Sequence, residues 1–332
     1  MNIIKRIEKE FTPRNCSSDQ FMYDYMESQS NQLLPIIYQP FDITKRSHWS
    51  DRGYILDYAC SAGSGTILDY GPGDGWPSLP VASFARHIIG VDSSLKRIET
   101  CRENARRLQI SNVEFVHVPA GQDLPFDNAT FNGVMAASSI EQSPDPFTSL
   151  RELYRVLKPG GTLRMYYESL ESYRGEKEKE PVVWETSRGS LRLDIYDRHI
   201  DDELAVLYGN EFKLKLPALK KLLDVTENAC LDLELVENKF DLIKPYINVV
   251  LRCRLSQPSA LTWSLWLKDV GFRKIKHTRS GGDYLYWIYA IINSGDRPDN
   301  LAAFDSRFKR SVQEIIEDEI SPASNTMITA VK

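Results

Sequence analysis

The sequence lacks any unbroken run of about 18 apolar residues, the length a helix needs to span a bilayer, so no membrane-spanning helix is expected. The opening segment MNIIKRIEKEF has no apolar core of the kind a secretory leader carries. Cysteine is sparse and unpatterned: Cys16, Cys60, Cys101, Cys230 and Cys253 never fall at C-x-x-C or another zinc-ligand spacing. An odd count without pattern argues for reduced thiols and a cytoplasmic protein. The five histidines are equally scattered, and no metal site is expected. Positive charge is not in excess either. With 41 Lys and Arg against 46 Asp and Glu the net charge is −5, which argues against a general nucleic-acid binder.

What the chain does have is TILDYGPGDG at 66–75. A short apolar run, Ile67 and Leu68, leads into Asp69, and glycines follow at every second position: Gly71, Gly73 and Gly75. Glycine has no Cβ and tolerates positive φ, so such a loop lets backbone approach a nucleotide-like ligand closely. The dinucleotide fingerprint G-x-G-x-x-G would need a third glycine where Trp76 stands, and no G-K-[ST] follows for a phosphate loop. An acid at the strand end repels a pyrophosphate but suits a ligand with a cationic amino-acid part. A glycine turn that binds nothing is the competing reading of the loop taken alone.

The neighbouring segments extend the pattern. HIIGVD (87–92) is a second short apolar strand ending in an acid, Asp92, 23 positions after Asp69. That is close to the distance at which a βαβ unit offers a carboxylate to ribose hydroxyls. Residues 77–86 suffice for a crossover helix, and 94–108 carry Leu95, Ile98, Cys101, Ala105 and Leu108 at helical spacing, with Cys101 read as a core thiol. Strands are expected at 113–118, 133–137 and 162–167, with a helix ending before Lys158-Pro159-Gly160-Gly161. This alternation predicts a parallel sheet covered on both faces.

LDYGPGDG (68–75), GVDSS (90–94), DLPFDNATFNGV (123–134), SSIEQSPDP (138–146) and LRELYRVLKPGGTL (150–163) together resemble the class I S-adenosylmethionine-dependent methyltransferases, of the group that includes the ubiquinone and menaquinone C-methyltransferases. The resemblance covers about a third of the chain, with five pieces in the right order and spacing. It implies a doubly wound, Rossmann-like α/β fold with a seven-stranded sheet and S-adenosyl-L-methionine as cofactor. It places Gly71 and Gly73 against the methionine part, Asp69 beneath its ammonium, Asp92 on the ribose hydroxyls and Ser93 beside the adenine. The sequence departs from the family at Ala120, where an Asp usually meets the adenine amino group. The adenine edge is then expected on backbone near Gly121 and on Gln122, or on Asp123 from a shifted loop.

Around the core (53–170) the chain is read as an N-terminal helical lid at 1–52, rich in Phe21, Met22, Tyr23, Tyr25, Met26, Tyr38, Phe41 and Trp49. Such rings and thioethers either wall a pocket and face a sulfonium or simply pack on the core. Residues 171–258 are expected to be an inserted, mainly antiparallel α+β unit that opens with the charged stretch SYRGEKEKEP and either covers the active site or forms a homodimer interface. Its lysines Lys213, Lys215, Lys220 and Lys221 are read as a solvated face, with contact to an anionic substrate as the alternative. Residues 259–294 are expected to complete the core with a helix and a closing hairpin of strands at 273–279 and 283–292, and 295–332 to form a surface helix and tail.

Methyl transfer from a sulfonium is an in-line displacement, so alignment and exclusion of water suffice for most of it, with a base where the acceptor must lose a proton. The segment after the fourth strand faces the methyl in this fold, which marks Ser138, Ser139, Glu141 and Gln142, with Ser138 as a cofactor contact and Glu141 either a base or substrate-orienting group or a partner of loop amides or the cofactor. Tyr167, Glu168 and His199 are weaker candidates. A small-molecule O-, N- or C-methyltransferase is the favoured function. An RNA or protein methyltransferase would show N-P-P-[YF] where ASSIEQ stands, or a basic groove; a non-catalytic scaffold is the third reading.

Overall fold

The computed structural model describes residues 2–18, 21, 39–168, 173, 175–186, 189–225, 232–322 and 327–332. The chain begins with helix α1 (Ile3–Glu10) and the short strand β1 (Arg14–Asn15), and resumes with α2 (Arg46–Ala62). There follow β2 (Thr66–Tyr70), α3 (Ser78–Val81), β3 (His87–Asp92), α4 (Leu95–Arg107), β4 (Val113–His117), β5 (Phe131–Ala137), α5 (Pro146–Val156) and β6 (Leu157–Tyr166). The next segment holds β7 (Lys179–Glu185), β8 (Leu191–His199), β9 (Leu204–Phe212), α6 (Leu216–Leu223), α7 (Leu233–Asn238), α8 (Phe240–Ile243) and β10 (Ile247–Ser256). The chain closes with α9 (Ala260–Val270), β11 (Arg273–Thr278), α10 (Gly281–Ile291), α11 (Leu301–Glu317) and β12 (Met327–Val331). These elements form two units, one from residues 1–31 and 169–259 and the other from 32–168 and 260–332.

The larger unit is built on a seven-stranded sheet of order β11-β12-β6-β5-β2-β3-β4. Strands β2 to β6 pair in parallel, and β12 runs antiparallel to both β6 and β11. Successive residues of a strand face opposite sides, and β2 uses both. Ile67 packs with Ile55 and Tyr58 of α2, while Leu68 packs with Leu150 and Leu153 of α5 and Trp263 of α9. Burial on both faces is what the continuous apolar strands require, and the expected doubly wound sheet is present. Local signals set the helices. Ser94 caps α4 by accepting from the Arg97 amide, and Asp145 caps α5 by accepting from Thr148 ahead of Pro146.

A buried ion pair ties the far half of this unit together. Arg164 on β6 donates to both carboxylate oxygens of Asp57 on α2 at 2.8 Å, and both side chains are fully buried. The remaining guanidinium donors reach Thr278 Oγ1 at 2.7 Å and Thr329 Oγ1 at 2.9 Å, while Asp57 also accepts from the Gly281 amide at 2.7 Å. Helices α2 and α10 approach so closely here that a Cβ on Gly53 would lie 2.2 Å from the Gly281 carbonyl oxygen.

The close of the sheet differs from the expected hairpin. Only 273–278 forms a strand; 283–292, expected as its partner, lies almost wholly in the helix Gly281–Ile291, and the seventh strand is Met327–Val331 at the end of the tail. DYLYWIYAII has the ring and β-branched content of a strand, but Ser280 caps it as a helix by accepting from the Asp283 amide. Leu285 and Ile288 of α10 then pack into the cluster of Trp49, Leu56 and Phe304. The helix expected within 295–332 spans Leu301–Glu317.

The smaller unit carries a five-stranded sheet of order β1-β10-β9-β8-β7, antiparallel except for the β1–β10 pairing. The insertion is therefore the mainly antiparallel α+β unit expected. Residues 179–185, partly assigned to the charged stretch, form β7; β9 is followed closely by α6; and helices occupy 233–238 and 240–243.

The N-terminal segment is not one helical piece. Ile3, Ile4 and Ile7 of α1 join the apolar cluster of Leu193, Tyr208 and Phe240, and Phe21 packs with Leu207 and Cys253, all within the smaller unit. Phe41 and Trp49 belong instead to the larger one. Met22, Tyr23, Tyr25, Met26, Tyr38 and Cys230 lie outside the described residues.

Candidate active site

Strands β2 and β5 are neighbours, yet the chain leaves β2 toward β3 on one side and reaches β5 on the other. Open α/β sheets bind ligands outside the carboxyl ends of their strands at this kind of reversal. The glycine loop sits there. Gly71, Gly73 and Gly75 all have positive φ, at 75°, 60° and 113°. At Gly71 the need for glycine is also steric, because a Cβ would fall 2.5 Å from the Cβ of Ser139 on the segment after β5. The Gly71 amide donates to the Val91 carbonyl at 2.8 Å, and Ser139 Oγ donates to the Tyr70 carbonyl. From below, Cys101 Sγ donates to the Gly73 carbonyl at 3.2 Å and Asn104 Nδ2 to that of Asp74 at 2.7 Å. Cys101 is thus a buried thiol under the loop, its pKa pushed well up by burial.

Asp69 is fully buried at the end of β2. Its Oδ2 accepts from the Ser78 amide at 3.1 Å and hydroxyl at 2.6 Å, which fastens α3 to the strand end. Its Oδ1 has no partner among the described residues. Burial pushes the carboxyl up to about 7, and Ser78 only partly offsets this. Asp92 closes β3, accepts from the Ser94 amide at 2.9 Å and from the Gly73 amide, and is likewise raised by burial. The Ser93 carbonyl lies 3.0 Å from His117 Nε2.

Past β4, Gly121 has φ 76° with open space where a Cβ would stand, and Gln122 is exposed, its amide bonded to the Pro119 carbonyl at 3.2 Å. After β5, Ser138 takes φ 50° and donates its amide to the Tyr166 carbonyl at 2.9 Å. Asp69, Gly71, Gly73, Asp92, Ser93, Gly121, Gln122 and Ser138 all belong to strand ends, or to the loops that follow them, on one edge of the sheet.

Glu141 is 8 % exposed; its Oε1 accepts from the Glu168 amide at 3.0 Å, and its Oε2 has no partner among the described residues. Burial pushes it up to about 7, the range of a general base near neutral pH. It also pins the segment after β5 to the end of β6. Tyr167 is buried against Trp263 at a ring separation of 5.8 Å, Glu168 is exposed, and His199 belongs to the smaller unit, 3.4 Å from Asp197.

Sequence reasoning missed Ser78, which holds the strand end, and marked Ser139 without its role in holding the loop. It also missed a cavity of about 680 Å³ in the larger unit, lined by Tyr54, Tyr166, Arg279, Asp283, Tyr284 and Trp287. The cavity was hidden because 283–292 was expected as a strand. Only as a helix do Asp283, Tyr284 and Trp287 share a face. No described helix is long and apolar enough to cross a membrane.

Residues 68–165 match the family described as Methyltransferase domain. Over 98 residues the chain is 40% identical to the demethylmenaquinone methyltransferase of Clavibacter sepedonicus, covering 29% of this chain and 38% of that protein. Over 112 residues it is 36% identical to the protein of the same name from Listeria monocytogenes serovar 1/2a, covering 33% and 42%. The chain therefore spans about two fifths of the length of these curated relatives. Among solved structures, the CcbJ methyltransferase from Streptomyces caelestis aligns with a TM-score of 0.49 at 14% identity, over 94% of this chain and 97% of that one.

Proposed function

We propose that this chain, whose residues 68–165 match a methyltransferase domain, is a class I S-adenosylmethionine-dependent methyltransferase that transfers a methyl group to a small-molecule O, N or C acceptor. The observation that carries the proposal is Asp69, a fully buried carboxyl under a positive-φ glycine loop with one oxygen unpartnered among the described residues. Leaving such an oxygen unsatisfied is costly, and a cationic ammonium at the loop relieves that cost. S-adenosylmethionine, when bound, supplies an electrophilic methyl on a sulfonium.

The chain's own residues bind and orient. Gly71 and Gly73 present backbone to the amino-acid part, and Asp69 supplies counter-charge from beneath. Asp92 accepts from the ribose hydroxyls and Ser93 lies beside the adenine. Gly121 and Gln122 border the adenine edge in place of the acid that Ala120 replaces, and Ser138 flanks the crevice. Glu141 takes up the acceptor's proton at Oε2, a role its raised pKa suits. The net charge of −5 favours a small molecule over a nucleic acid as acceptor, and the unpatterned spacing of the five cysteines favours the cytoplasm.

Calorimetric titration of the full chain with S-adenosylhomocysteine tests it. One-to-one binding that is lost in Asp69→Ala supports the assignment. No heat, together with no thermal stabilisation at millimolar ligand, refutes it.

A further inference from the structure

The cavity of about 680 Å³ lies at the same edge of the sheet as the glycine loop. Tyr166 ends β6, whose neighbour β5 leads into Ser138, and Arg279 directly follows β11. Because β11 and β6 are both antiparallel to β12, their carboxyl ends point the same way. Tyr54 joins the cavity to the loop by ring contacts, 6.0 Å from Trp76 and 6.2 Å from Tyr166.

Rings and carboxylates dominate this space. Four of the six lining residues, Tyr54, Tyr166, Tyr284 and Trp287, are aromatic, and a fifth is the exposed Asp283. The acids continue past the wall: Glu168 follows Tyr166 closely in the chain, and its amide donates to Glu141 at 3.0 Å. Burial pushes the Tyr166 phenol up, and Glu168, Asp283 and Glu141 all push it further the same way. Burial also raises Tyr54 to about 12, and Asp283 adds to that rise. Arg279 is the one cation on the wall, a single guanidinium against these three acids. Ring faces of the same helix already hold a cation on another side, where Arg46 stacks over Tyr286 at 3.5 Å and stands 5.6 Å from the Trp287 ring.

Resting on the methyltransferase reading above, we propose that this cavity is the acceptor site and that the acceptor is an amine, held in a cage of Tyr54, Tyr166, Tyr284 and Trp287 with Asp283 as counter-charge. Aromatic faces attract a cation through their quadrupoles, most strongly where water is excluded. Transfer to nitrogen needs that attraction. The amine lone pair forms the new C–N bond as the C–S bond breaks, so positive charge passes from the sulfonium to a nitrogen inside the cage. The methylated ammonium then gives one proton to Glu141, and the sulfur is left as an uncharged thioether. An oxygen or carbon acceptor ionised for attack would instead bring negative charge toward the same three acids, which repel it.

The test uses the full chain saturated with S-adenosylhomocysteine, titrated calorimetrically at pH 7 with probes that share one phenol ring. These are tyramine, an ammonium at this pH; 4-propylphenol, its uncharged isostere; and 3-(4-hydroxyphenyl)propionate, an anion. Tyramine should bind about tenfold or more tightly than 4-propylphenol, and the propionate more weakly than either. In Asp283→Asn the preference for tyramine should shrink to within about threefold, with S-adenosylhomocysteine affinity unchanged. Trp287→Ala, at a position 65% exposed, should weaken tyramine more than 4-propylphenol. Equal affinities for tyramine and 4-propylphenol, a preference for the propionate, a preference for tyramine undiminished in Asp283→Asn, or no binding of tyramine overturns the proposal. Failure of S-adenosylhomocysteine itself to bind instead overturns the reading on which the proposal rests.

Discussion

Gly71→Ala separates the two reasons for a glycine at the head of the loop. The first is conformational: φ is 75°, and a residue with a Cβ in the left-handed region costs about 1–2 kcal/mol. The second is steric, because the new Cβ would sit 2.5 Å from Ser139 Cβ. Overpacking of this kind costs about 1–3 kcal/mol. Together the substitution should destabilise the larger unit by about 2–5 kcal/mol and weaken S-adenosylhomocysteine binding at least tenfold. Adding Ser139→Gly removes the colliding atom but not the dihedral cost, so the double variant should recover the steric part, about 1–3 kcal/mol. Urea unfolding read by tryptophan fluorescence gives the stabilities, and calorimetry gives the affinities. A single variant with unchanged stability and affinity would show that the loop is slack, and the close-approach reasoning would be wrong. Additivity of the two substitutions would refute the Ser139 contact in particular.

Three further outcomes follow from the buried groups. In the native state Asp69 is raised to about 7, whereas the unfolded chain loses this proton near 4, so between those values the native state holds more protons and stability falls as pH rises. Asp69→Asn should therefore be more stable than the unaltered chain in urea at pH 8, lose that advantage below pH 4, and bind S-adenosylhomocysteine about tenfold less tightly for want of counter-charge; a variant less stable at pH 8 would contradict the burial argument. Asp57→Ala leaves Arg164 charged and buried, and thermal unfolding should report a loss of about 3–5 kcal/mol, with a loss under 1 kcal/mol showing that water reaches the pair. Ile7→Ala should cost about 2–4 kcal/mol, read as faster proteolysis within 175–256; protection equal to the unaltered chain would mean that α1 is not part of that unit's core.

Much of the larger unit was legible because its strands announce themselves. Ile67-Leu68 and Ile88-Ile89 are short apolar runs that end in acids, and only burial on both faces accommodates them. The residues proposed for the donor follow strand ends in sequence, so spacing along the chain carries their position. The seventh strand was not legible, because MITAV at 327–331 is too short and too far from 273–278 to be recognised as its partner. The helix of α10 was misread because its composition favours a strand, while the features that decide it are a cap and the packing of Gly53 against Gly281. The residues lining the cavity come from α2, β6, the position after β11 and α10, and no local pattern unites them. Likewise the pairing of α1 with the insertion joins segments more than two hundred residues apart, as the Glu237 carboxylate on the Ile3 amide shows.

A crystal structure of the full chain with S-adenosylhomocysteine is the most direct test of the central claim. The account predicts the amino-acid part over Gly71 and Gly73, its ammonium above Asp69, and the ribose hydroxyls on Asp92, with the sulfur facing the cavity of Tyr54 and Tyr166. Density for the ligand at another edge of the sheet, or an empty loop at saturating ligand, would contradict it.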